Sequence, residues 1–260
     1  ILSRLGSLTI NDTTSVSFNQ TNQYNCSRLN GFQGNIINAG KINIGLGIAD
    51  AIIQFGSAGQ TVPASILDAS PTINKGSYKY QLLYLQERNA RTTGYEIPVD
   101  RIVNKVTINN TNGVTIAGGA LNVVDTLTMT AGKLKTDATN ILNILNPVSS
   151  CILTPSATSY INGPMTRILP SNYTGGQNFD FPIGKAYYKP FKLISPVTNM
   201  GGASTIMAEV FDANAGGNPQ GLVRSLKTNR YWAASVIDGA SNIDSVGNIC
   251  LVDTTNGADI

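Results

Sequence analysis

The side chains that could do chemistry are few, and the rarest are absent. The 260-residue chain contains no His, which removes the commonest general base, the Ser-His triads and most zinc sites. Its only Glu are Glu87, Glu96 and Glu209, and its Asp are dispersed. Carboxylate-pair hydrolysis of a glycoside needs two acids at one place. Asp180 with Asp212, or Asp238 with Asp244, are the pairs that folding could join, and acids in polar turns are the plainer reading. The stretch DANAGGN at 212–218 alternates Asp and Asn without a closing Glu, so a Gly-rich turn describes it better than a calcium loop. No catalytic residue, metal ligand or cofactor-binding residue is assigned, and no cofactor is expected.

Three cysteines, Cys26, Cys151 and Cys250, fit no metal spacing. Cys151 and Cys250 are a candidate disulfide, with three buried thiols as the equal alternative. Tyr187, Tyr188, Phe191, Tyr231 and Trp232 could stack on sugar rings if they formed an exposed row; core packing is the competing reading. Lys133 and Lys135 flank Leu134 and therefore point away from a core, where they could meet an acidic glycan or simply be solvated. Asp followed by Thr or Ser marks Thr13, Thr126, Ser245 and Thr254 as candidate O-glycosylation sites, and Asn-x-Ser/Thr occurs at Asn11, Asn19, Asn25, Asn109 and Asn172.

The elements that must position these residues are legible as a repeat. Apolar pairs recur at Val106/Ile108, Val114/Ile116, Leu121/Val123 and Leu127/Met129, followed by Leu134 and Leu142. A shift of about twenty residues aligns Val106 with Leu127, Val114 with Leu134 and Leu121 with Leu142, which predicts a parallel β-helix or solenoid-like stacked coil. Gly113, Gly118, Gly119 and Gly132 fall where such a chain must turn. Thr107, Thr115, Thr126, Thr128 and Thr130 suit the outward face, being β-branched with a polar tip. Helix signals are nearly absent, and Tyr80–Ala90, the best helix candidate, reads better as a strand because Tyr80, Leu82 and Tyr84 alternate.

Composition agrees with an extracellular β protein. Hydrophobic residues make up 42% of the chain, enough for a core, while charged residues supply only 13%, about half the usual share. The net charge of +3 is a small excess without a basic run. Lys75, Lys79, Arg88 and Arg91 alternate with apolar neighbours, so nucleic acid is not expected as a partner. No stretch is apolar enough for a membrane span. The expected organisation is a β-rich solenoid-like or capping segment at 1–100, β-solenoid coils at 101–150, and a Pro-punctuated β-sandwich-like domain at 151–260, still incomplete at its end. The ends read as those of a mature secreted protein or a piece of a longer one.

The segment NNTNGVTIAGGALNVVDTLTMTAGKLKTDATNILNIL, then SYINGPMTRIL, FDFPIGKAYYKPFKLI and SLKTNRYWAAS, resembles a module of very large adhesin-like surface proteins of Bacteroidota over about residues 100–240. The resemblance implies export by type IX secretion machinery, a place on the cell surface or outside it, and neighbouring modules of the same polypeptide as partners. It also raises the standing of the Asp-Ser/Thr sites, and it carries over no catalytic residue. The expected function is a non-enzymatic structural or adhesive segment of a large exported protein. The alternatives are a carbohydrate-binding or carbohydrate-active β-helix protein contacting surface glycans, and a subunit of an extracellular filament or surface layer.

Overall fold

The computed structural model describes residues 79–84, 86, 89–94, 96–218 and 229–252, and before residue 75 the backbone of eight strands. These residues are β-structured throughout, and their one helical element is a 3-10 turn at Ala240–Asn242.

The coil rests on the repeat. Val106 pairs with Leu127, Val114 with Leu134 and Leu121 with Leu142, all in parallel strands. These are the three matches that the sequence spacing predicts. Two sheets result. The long sheet takes in, strand by parallel strand, Arg28–Leu29, Ala51–Phe55, Tyr80–Tyr84, Ile102–Asn109, Leu121–Ala131, Leu142–Ile144 and Met165–Leu169. The narrow sheet stacks two-residue strands: Arg91–Thr92, Val114–Thr115, Leu134–Lys135, Ile161–Asn162 and Ile183–Gly184, again all parallel. Parallel coil pairing therefore continues past residue 150. In the first 75 residues, two three-stranded parallel sheets accompany the long one: Leu8–Ile10, Asn35–Asn38 and Ser65–Ile66 form the first, Ser15–Phe18, Lys41–Ile44 and Thr72–Asn74 the second.

Side-chain parity explains why this stacking is stable. Val106, Ile108, Leu121, Val123, Leu127, Met129, Leu134 and Leu142 are all at most 1% exposed, and each stacks on its counterpart one coil away. Full burial of such a side chain stabilises by about 1.5–3 kcal/mol. The intervening Thr107, Thr115, Thr126 and Thr128 are half-buried on the outer side. Polar ladders run between coils as well. Asn143 Nδ2 donates to Asn122 Oδ1 at 2.9 Å, and Thr166 Oγ1 donates to Asn143 Oδ1 at 2.8 Å.

Turns admit the coil only where the backbone can pass closely. Gly132 has φ +82°, and a Cβ there would lie 1.7 Å from the Asn110 carbonyl oxygen of the coil beneath. The coils are not identical. Residues 145–151 loop out between Leu142–Ile144 and Ile152–Leu153, which both pair with Leu121–Ala131. The loop lengthens the step from Leu134 to Ile161 relative to the step from Val114 to Leu134.

After Met165–Leu169 the long sheet changes sense. Ser204–Phe211 pairs antiparallel with it, and Tyr231–Asp238 pairs antiparallel with Ser204–Phe211. A separate antiparallel sheet joins Asn178–Phe181, Phe191–Ile194 and Asn248–Leu251, and a two-stranded one joins Val197–Thr198 to Ile243–Ser245. Phe179, Phe181, Phe191, Leu193, Ile206 and Val210 belong to the same buried cluster as the coil residues, so one core runs through both parts.

Candidate functional site

The loop after Arg91–Thr92 carries the first of two buried polar centres. Glu96 is 2% exposed and accepts hydrogen bonds from Tyr84 OH at 2.9 Å and from the Gly94 amide at 2.8 Å. Tyr80 OH donates to the Glu96 carbonyl at 2.5 Å. Burial pushes the Glu96 carboxyl above the usual carboxylate range, against the pull of these bonds and of the Arg91 charge. Burial also raises the Tyr80 and Tyr84 hydroxyls well above the usual phenol range, and the neighbouring Glu96 adds to it.

Beside this centre Arg101 stands at φ +53° and points its guanidinium into the 117–120 turn of the next coil. Nε donates to the Ala120 carbonyl at 2.7 Å, and Nη2 to the Ala117 and Gly119 carbonyls at 2.9 and 2.8 Å. Burial pulls its pKa down from the usual arginine value. Nη1 makes none of these bonds. Thr93, Gly94, Ile97, Val99, Arg101 and Gly118 line a cleft of about 340 Å³ here, with Val99 76% exposed at its rim. A cation beside apolar walls can bind a carboxylate or sugar hydroxyls. Glu96 faces Tyr84 and Gly94, and the Thr93 hydroxyl exchanges bonds with Ala117 N (2.9 Å) and O (3.4 Å).

Arg167 forms the second centre and is fully buried. Nη1 donates to the Asp180 carbonyl at 2.8 Å, and Nη2 to the Val148 and Ser149 carbonyls at 3.0 and 2.9 Å. Its Cζ lies 5.2 Å from the centre of the Phe179 ring. Arg167 thereby ties the 145–151 loop to the antiparallel strand Asn178–Phe181. Its position was readable in part: in MTRIL, Arg167 shares the inward parity of Met165 and Leu169.

The residues singled out from sequence fall into separate places. Cys151 and Cys250 are both free thiols, so the candidate disulfide is not formed. The reason is local: Cys151 Sγ sits 3.4 Å from Arg167 Nη2 and 3.6 Å from the Asn146 carbonyl, whereas Cys250 lies on the strand opposite Lys192. Burial raises the Cys151 thiol although Arg167 opposes it. Thr126 is half-buried and donates to Asp125 Oδ1 at 3.0 Å, while Ser245 is exposed. Thr13 and Thr254 lie outside the described residues, as do Cys26, Lys75 and Arg88.

Three of the four carboxylates singled out meet a cation or an amide, and Asp238 is exposed. Asp180 meets Lys192 at 3.3 Å, Asp212 meets Arg230 at 3.3 Å, and Asp244 accepts from Asn199 Nδ2 at 3.0 Å. In DANAGGN, Asn214 Oδ1 accepts from the Gly216 amide at 2.9 Å, the geometry of a turn. The aromatics form no exposed row. Phe191 is buried, Trp232 Nε1 donates to the Lys189 carbonyl at 3.0 Å, Tyr231 stacks on Phe211 at 4.7 Å, and Tyr187 alone is mostly exposed. Lys133 leaves the core as expected, with Nζ 4.8 Å from the Tyr160 ring centre, and Lys135 is exposed. Among the described residues no three His, Cys, Asp or Glu converge on a metal position, and no helix is long and apolar enough to cross a membrane.

Comparison with family models, with curated proteins and with solved structures found no match.

Proposed function

We propose that this chain is a structural, adhesive segment of a large exported cell-surface protein and has no enzymatic role. The observation that carries this reading is where its polar groups go. Arg101 and Arg167 each hold three carbonyls of a neighbouring turn or strand, and the Asn122–Asn143–Thr166 ladder joins three successive strands. Polar capacity that an active site would aim at a substrate is here aimed at the next coil. A stack fastened in this way is a spacer that sets its neighbours apart, and weak surface contacts on repeated modules add through avidity. The resemblance over residues 100–240 supplies the address: export by type IX secretion to the outer surface of a bacterial cell. Exposed Ser245 and the outward Thr126 suit O-glycans at such a location.

Surface biotinylation of intact source cells, followed by peptide mapping, tests the address. Labelled peptides from residues 100–240 within a longer polypeptide, with sugar mass on the peptides containing Thr126 or Ser245, support it. Recovery only from the soluble interior, unmodified, overturns it.

The cleft beside Arg101 favours a second reading, a carbohydrate-binding coil that takes an acidic sugar on the Nη1 side of the guanidinium. Titration with oligogalacturonate, followed by NMR shifts of the Gly94, Gly118 and Gly119 amides, separates the two. Saturable shifts at these amides favour binding, and none leaves the spacer reading alone.

A further inference from the structure

The cleft beside Arg101 holds a cation that is only partly used. Bonds to the 117–120 turn engage Nε and Nη2, and Nη1 donates to no group among the described residues. Gly118 leaves Nη1 uncovered: its φ is +78°, and a Cβ there would stand 3.3 Å from that nitrogen. A guanidinium fixed in this way keeps its remaining donors aimed, so an arriving anion costs it little rotamer freedom. The facing wall is fixed as well. Ile97 N donates to the Gly94 carbonyl at 3.1 Å and Arg101 N to the Pro98 carbonyl at 2.8 Å, while Tyr80 OH holds the Glu96 carbonyl from within the coil. Ile97, Pro98, Val99 and Ala117 thereby line the cleft with aliphatic carbon.

The lining says what kind of anion fits. A sugar needs partners for its hydroxyls and is helped by an aromatic face. Among the described lining residues there is no aromatic ring, and the one hydroxyl, that of Thr93, already bonds Ala117. A carboxylate on a short aliphatic body needs only one cation and carbon walls. The nearby acids are engaged elsewhere. Both Glu96 carboxylate oxygens accept bonds, from Tyr84 OH and the Gly94 amide, and Asp100 Oδ1 accepts from the Ile102 amide at 3.1 Å. At about 340 Å³ the cleft is at the small end of ligand pockets, a size for one chain end rather than an oligosaccharide. We propose that it binds an aliphatic carboxylate, the anion on Arg101 Nη1 and the carbon body against Ile97, Pro98 and Val99. This shares with the carbohydrate reading, on which it rests, an anion at Nη1, and differs in the body that the anion carries. A free branched-chain acid and the C-terminus of a polypeptide ending in Leu or Val share this chemistry.

Titration of the whole chain with N-acetylleucine, followed by NMR shifts of the Gly94, Gly118 and Gly119 amides, tests this. Saturable shifts are expected. N-acetylleucine amide, which lacks the charge, and acetate, which lacks the body, should each bind at least about tenfold more weakly. Binding of 4-methylpentanoate as tight as that of N-acetylleucine assigns a free acid, and weaker binding assigns a chain end whose amide also contributes. Equal binding of N-acetylleucine and either its amide or acetate overturns the proposal. Oligogalacturonate separates the two readings of the cleft: shifts with it and none with N-acetylleucine leave the cleft a ligand site and overturn the aliphatic acid, and shifts with neither overturn both. Arg101→Gln should abolish the preference for the acid over its amide, and a preference that survives refutes the role of Nη1. Should that variant misfold, Val99→Asp at the exposed rim decides: binding about threefold weaker supports the site, and unchanged affinity refutes it.

Discussion

The coils between Ile102 and Ile161 and the antiparallel strands between Ser204 and Leu251 are built from similar residues under different demands. In the coil, the strand Leu121–Ala131 is flanked on both sides and buries every inward apolar residue. In the terminal region, Tyr231–Asp238 is half-buried for its first three residues and exposed for the last five. A coil repeats its own template, so one register suits every rung. An antiparallel ending has a flank that nothing in the repeat completes. Order in the coil is therefore dictated by close stacking, whereas Tyr231–Asp238 is paired on one flank only among the described residues.

The largest contrast should come from glycine. Gly132 and Gly176 both have positive φ, at +82° and +92°. Gly132→Ala drives a methyl into the Asn110 carbonyl, whereas Gly176→Ala meets nothing within 4 Å. Denaturant titration should show a loss of about 4 kcal/mol or more for Gly132→Ala and about 1 kcal/mol for Gly176→Ala. Equal losses would mean that the coil is not stacked as closely as described.

Next is the residue that joins the two regions. Arg167→Ala strips three carbonyls of their donor and removes the contact with Phe179. A loss of about 3–5 kcal/mol is expected, with amide exchange rising in both 145–151 and 178–181. Rise in one segment only would show that Arg167 does not couple them.

Glu96 gives a smaller effect with a defined sign. Its folded pKa is raised by burial, so the folded state holds this proton more tightly than the unfolded chain does. The contribution is fully present below the ordinary glutamate range and is lost as pH rises through the folded value. Glu96→Gln should flatten that part of the stability–pH curve and gain on wild type toward alkaline pH. An unchanged slope would assign the titration elsewhere. The smallest effect belongs to exposed Ser245→Ala, within about 0.5 kcal/mol in the unmodified protein, by the same titration.

Much of the coil is legible in sequence because a stacked rung repeats its requirements. Val106, Leu127, Val114 and Leu134 occupy equivalent inward positions, and turn glycines such as Gly113 and Gly132 recur beside them. The antiparallel ending is not legible in this way, since Met165 pairs with Ala208 and no repeated position marks the partner. The two arginines show the limit for sites. Arg167 betrays itself by inward parity in MTRIL, but two of its three acceptors lie on a looped-out segment that breaks the repeat and the third on a distant antiparallel strand. Arg101 depends on a positive φ after a Pro-containing turn, a backbone state that residue types do not announce. Cys151 lies against Arg167 instead of Cys250, a neighbourhood that spacing alone does not reveal.

The register of adjacent coils is the claim on which the rest stands, and disulfide trapping tests it most directly. Thr107 and Thr128 are outward partners on neighbouring parallel strands, which lie about 4.8 Å apart, within disulfide reach. In Thr107→Cys/Thr128→Cys, mild oxidation and peptide mapping should recover the 107–128 disulfide in high yield. Thr107→Cys/Thr130→Cys, two residues out of register, should give little. Equal yields from both, or trapping only in the second, would contradict the stacked coil.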